Sequence, residues 1–132
     1  MSNGNLVTTQ GKGIAFNRLW TPSPTQTAPT VFKIGTGTTT PAVGDTDLQT
    51  AVNINGTDFK TFLSGYPSLD TTNLQSTVRT LVLTTEANSN SLTEFGLFNT
   101  DGTKKCFSHA VHTAITKTTS VQVIYIEKDE VN

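Results

Sequence analysis

From Val31 onward the apolar residues come in short segments separated by Gly, Pro, Asn and Asp clusters, and this spacing constrains the fold more than any other feature. Short apolar runs broken by turn chemistry are the mark of an antiparallel sandwich or barrel. Composition points the same way. Of 132 residues 27 are threonine and only 14% are charged. Helix surfaces favour Glu, Lys, Arg, Gln and Ala, whereas Thr, Val, Ile, Phe and Tyr suit a pleated, half-buried surface. The length allows one domain with its arms. The expected fold is all-β, an antiparallel β-sandwich over residues 31–127 with an extended N-terminal arm.

The arm is residues 1–30. Gly4, Gly11 and Gly13 loosen its start, and Pro22, Pro24 and Pro29 exclude both a helix and a central strand after Trp20. Ile14, Phe16, Leu19 and Trp20 make it apolar enough to dock on its own domain or on a neighbouring subunit. Beyond the arm, Val31 to Ile34 reads as a strand ended by Gly35, and Thr38 to Asp47 as loop. Leu48 to Ile54 fits one capped helical turn or a strand. Asn55-Gly56 is a tight turn into a strand at Thr57 to Leu63. Thr77 to Glu86 is a buried strand. Leu92 to Phe98 and Lys104 to His112 form a hairpin across Asn99–Thr103. The last strand, Thr119 to Glu127, is apolar on both faces, which predicts cover on both. Residues 128–132 are a charged tail, ordered only where a partner holds it.

Charge and cysteine narrow the chemistry. A net charge of −1 leaves no basic footprint for nucleic acid. No apolar run approaches the roughly 18 residues of a membrane span, and Met1–Asn5 lacks the look of a signal peptide, so a soluble chain with no membrane partner is expected. Cys106 is the single cysteine, and beside Phe107 it reads as a small buried hydrophobe. His109 and His112 point to opposite faces of a strand and cannot jointly hold a metal without a bulge. Asp45 and Asp47 are too few ligands for calcium and suit capping or solvation. The Gly35–Thr38 run lacks the lysine and helix of a phosphate loop. Glu86 and Glu94 are the candidate acid pair, with no cleft expected around them. No nucleophile, base and orienting group share a neighbourhood, so no enzyme, cofactor or metal is expected.

Two segments together resemble small virion structural proteins of tailed bacteriophages, the tail, baseplate and fibre-attachment modules. They are Phe32-Lys33-Ile34-Gly35-Thr36-Gly37-Thr38-Thr39-Thr40-Pro41-Ala42-Val43-Gly44-Asp45-Thr46-Asp47-Leu48 and Glu94-Phe95-Gly96-Leu97-Phe98-Asn99-Thr100-Asp101-Gly102. The likeness covers roughly residues 31–126. It implies a β-rich, non-enzymatic part of a phage particle, located in the virion and bound to other virion proteins. The hairpin residues Glu94, Gly96, Asp101 and Gly102 carry its second motif, and Glu94 is expected to fix strand register by meeting backbone amides or a cation such as Arg79.

The residues fit that expectation independently. A Pro-rich arm is already extended and loses less entropy when a neighbour orders it, so arm and sheet edges are expected to link copies into a homo-oligomer. A capsid decoration protein would need the same features. A carbohydrate-binding module is a third reading, for which Trp20, Tyr66 and Tyr125 are the available aromatic platforms.

Overall fold

The computed structural model describes residues 6–130, as eight strands and one helix. In chain order these are β1 (Leu6–Val7), α1 (Thr9–Trp20), β2 (Val31–Gly35), β3 (Lys60–Thr61), β4 (Ser68–Asp70), β5 (Gln75–Val82), β6 (Asn90–Phe98), β7 (Cys106–Lys117) and β8 (Val123–Glu130). The fold is all-β, with a five-stranded sheet β1-β7-β6-β2-β3 and a three-stranded sheet β4-β5-β8, both antiparallel.

Alternation along the strands builds the sandwich core. Phe32, Ile34, Phe95 and Leu97 of the larger sheet meet Val78, Val82 and Val123 of the smaller one. The Phe95 ring stacks on Tyr125 with centroids 4.4 Å apart. Leu92 belongs to the same core although it lies an odd number of residues from Phe95. A register shift between Leu92 and Glu94 absorbs the mismatch and turns Glu94 to the outer face of its sheet.

That outer face is covered by the chain between β2 and β3. Val31, Phe98 and Cys106 meet Leu48 there in a second buried cluster. Residues 48–54 are neither helix nor regular strand. They follow β2 through a bridge from Gly35 to Ala51 and the bonds Thr36 N to Thr50 O and Val52 N to Ile34 O, both 3.0 Å. A hairpin joins β6 to β7, and its return strand runs five residues beyond His112, to Lys117.

The expected extended arm is corrected: Thr9–Trp20 is a helix. Two glycines make α1 a poor helix on propensity alone, so its docking decides. Thr8 caps it, its hydroxyl accepting from Gly11 N at 3.0 Å, while the Thr8 amide donates to Phe107 O. Ile14 is buried, and a Cβ on Gly11 would overlap the Phe107 backbone, so only glycine lets the helix lie this close to β7. The prolines act one step later, where α1 stops at Trp20 with Thr21 as its C-cap.

The C-terminal expectations also change. Glu127 is buried, and β8 continues through Lys128 and Asp129 to Glu130, pairing with Gln75–Thr77 of β5. Charged side chains are at home on such an edge strand, where they deter further pairing. Residues 131–132 of the expected tail and 1–5 of the expected arm lie outside the described residues. Both faces of β8 were expected to be covered, yet Ile124 and Ile126 are 49% and 53% exposed. They share the outward face of the smaller sheet with Arg79 and Leu81, their register partners.

Candidate functional site

His109 and His112 lie on opposite faces of β7, because residues three apart on a strand point opposite ways. His112 faces inward, where its Nε2 is 2.9 Å from the Tyr125 hydroxyl. His109 faces outward and is nearly fully buried. Its Nδ1 stands 2.7 Å from Asp45 Oδ2 and its Nε2 2.9 Å from Glu94 Oε2.

Glu94 is the centre of this cluster. Its Oε1 accepts from the amides of Gly37 at 2.9 Å and Thr50 at 2.7 Å, and its Oε2 from the amide of Gln49 at 3.0 Å as well as meeting His109. Thr93 adds a hydroxyl bond to Gly37 O at 2.6 Å. Charge-assisted bonds of this kind are stronger than neutral ones, so a single side chain on β6 holds both ends of the 37–50 loop. Arg79, the cation considered for Glu94, lies instead in β5 of the other sheet.

Two further groups steady the loop. Burial pushes the Asp45 carboxyl up, but the Ala42 amide and His109 outweigh it and hold the group below its ordinary range. Lys33, 5% exposed, reaches Asp47 at 2.9 Å and Asp58 at 3.1 Å and lies over the Phe98 ring. Burial depresses that ammonium, and the two carboxylates more than restore it, leaving it above its ordinary value. The chemistry of this cluster is fastening: both ring nitrogens of His109 and both oxygens of Glu94 are engaged by the protein itself. Glu86 belongs to a separate network, bound to Lys60 Nζ at 2.8 Å and to the Leu83 amide at 2.9 Å. Among the described residues no group of three or more His, Cys, Asp or Glu side chains is placed to hold a metal ion.

The remaining motif residues serve the hairpin. Gly96 pairs with His109, and a Cβ there would come within 2.8 Å of Ser108 O. Asp101 Oδ2 accepts from Thr27 N and Asn99 Nδ2, both at 2.9 Å, which ties the hairpin tip to the Pro-rich segment. Gly102 stands in open space. Asn17 Oδ1 takes the amides of Thr25 and Gln26 at 3.1 Å, folding that segment back on the helix.

The docking residues divide. Ile14 is inside, packed toward β7, whereas Phe16, Leu19 and Trp20 are 68%, 73% and 69% exposed. Positions i, i+3 and i+4 share one helix face, so the three form an outward apolar stripe. Of the aromatic platforms considered for a sugar, Tyr125 is half-buried and stacked on Phe95 and Tyr66 is half-buried against the core, while Trp20 is in the open. No family model, curated protein or solved structure matches this chain.

Proposed function

We propose that this chain is a non-enzymatic structural component of a bacteriophage virion, assembled in the host cytoplasm into the tail or baseplate region. There it connects neighbouring tail or fibre proteins. The observation that carries this reading is the stripe Phe16, Leu19 and Trp20, three large apolar side chains presented to solvent by a helix fixed on β7. Exposure of this kind costs solubility and finds its use in docking. The geometry of the two resembling segments supports the same reading, because the glycine-threonine loop and the hairpin are one unit joined through Glu94. A fastened loop over a rigid sheet presents a fixed surface to a neighbour and makes or breaks no bond.

Quantitative mass spectrometry of separated heads and tails from purified particles tests the proposal. Low copy number in tails is the expected result. High copy number in heads would replace the tail reading with capsid decoration, and absence from both would remove the virion reading altogether.

A further inference from the structure

We infer that the helix stripe of one copy docks on the β4–β5 turn and the end of β8 of the next copy, so that the chain assembles head to tail. The inference deepens the proposed docking role by naming the partner of the stripe as a second copy of this chain. It rests on two exposed apolar patches of opposite charge.

The first patch is the helix. α1 contains no acidic residue, and its charged side chains are Lys12 and Arg18, both exposed beside Phe16, Leu19 and Trp20. The second lies on the smaller sheet. Leu69 and Leu74 are 71% and 56% exposed, and all three residues of β4 are open to solvent. Strand pairing puts Asp129 on the Leu69 face, across Ser76, and Asp70 and Glu130 on the opposite face, on either side of Gln75, so the carboxylates flank the end of the sheet that carries the β4–β5 turn. Counted over both faces, with Lys128 against Asp70, Asp129 and Glu130, this end of the sheet carries net −2, and the helix carries net +2.

Charge selects the pairing. Helix against helix would bring four cations together, and turn against turn would concentrate carboxylates, so neither isologous arrangement is favoured. Helix against turn matches apolar to apolar and opposite signs at the rim. Such a contact uses a different surface on each copy and is therefore heterologous, closing into a ring or continuing as a stack. Its size fixes its strength. A few largely exposed side chains per patch fall short of the ~800 Å² per partner that a stable pair buries. One contact is therefore weak and shows at high concentration, and closure into a ring adds a contact with no further loss of translational freedom.

Sedimentation velocity of the full chain over a concentration series, at low and high salt, reads this contact. The expected result is a mass that rises with concentration and rises less at high salt. Two variants separate the surfaces, Leu19→Ser with Trp20→Ser on the helix, and Leu69→Ser with Leu74→Asn on the turn. All four positions are exposed, so both variants keep the fold. Each variant alone should stay monomeric, while their equimolar mixture should form pairs and nothing larger, since each supplies the surface the other lacks. A wild-type chain that stays monomeric overturns the inference, as does a turn variant that assembles like the wild type. A chain present in particles yet monomeric in solution would remove the head-to-tail contact alone. One that assembles head to tail yet is missing from heads and tails would remove the virion reading alone.

Discussion

Glu94 and His109 stand 2.9 Å apart on the outer face of the larger sheet, on neighbouring strands, with His109 also touching Asp45 of the covering loop. The loop between β2 and β3 has little regular pairing of its own, and this junction takes the place of a strand. It converts a polar, threonine-rich segment into a fixed layer over Phe98 and Cys106.

Replacing Glu94 by Gln tests how much the junction contributes. A carboxylate offers two acceptors, whereas an amide offers one acceptor and one donor. Turned one way, its NH2 meets the Gly37 and Thr50 amides; turned the other, it meets the Gln49 amide and His109. In the second orientation a neutral His109 can accept from the NH2, but the Gln49 amide still faces a donor, so at least one bond is lost and the charge assistance of the others goes with it, a cost of about 3 kcal/mol for a buried group. Calorimetry should then show a fall in Tm of roughly 10 °C for a domain of this size. An unchanged Tm would mean the loop is held by its apolar contacts alone.

How much of this could be read from the chain depends on how local each determinant is. The β6–β7 hairpin was legible because alternation and the Asn99–Thr103 turn residues are neighbours in sequence. Glu94 stood out as a charge in an apolar strand, but its partners Gly37, Gln49 and Thr50 sit in a segment with no hydrophobic period to place it. Strand geometry speaks against a shared metal at His109 and His112 but says nothing about a covering loop, so the bond from His109 to Asp45 leaves no local mark in the sequence. The helix failed for the same reason. Its glycines spoke against it, while contact with Phe107, nearly a hundred residues away, spoke for it. The one local signal was Thr8, a good N-cap residue.

The two helix glycines should respond oppositely to alanine. At Gly11 the new methyl would enter the Phe107 backbone and push α1 off β7. At Gly13 nothing lies within 4 Å, so alanine only improves helix propensity. Gly13→Ala should gain about 0.5–1 kcal/mol. Gly11→Ala should lose stability and accelerate hydrogen exchange of the Lys12–Trp20 amides. Equal behaviour at the two sites would contradict the close approach.

Cys106 should be inert while the chain is folded. Burial, aided by the negative charges of Asp47 and Asp45, pushes its thiol up to about 12. The reacting species is the thiolate, so both access and ionisation are withheld near neutral pH. A disulfide reagent should label the denatured chain fully and the native chain only at the rate of opening. Rapid native labelling would show that the layer over Cys106 is open.

Acid should weaken the fold through Glu86. Burial raises this carboxyl, but Lys60, the Leu83 amide and Asn55 outweigh it and hold it below its ordinary value of 4.5. The sign follows from proton binding. As pH falls, the unfolded chain takes up this proton first, so the native state's advantage is complete above 4.5 and is lost on descent through the lower, folded value. Asp45, held below 3.8, adds a second contribution of the same sign at lower pH. Glu86→Gln should therefore have a lower Tm at pH 7 and a shallower loss of Tm on acidification below 4.5 than the wild type. Thermal melts from neutral pH downward give both quantities. Parallel curves for the two proteins would mean that the Lys60–Glu86 pair carries no net linkage, leaving Asp45 as the contributor.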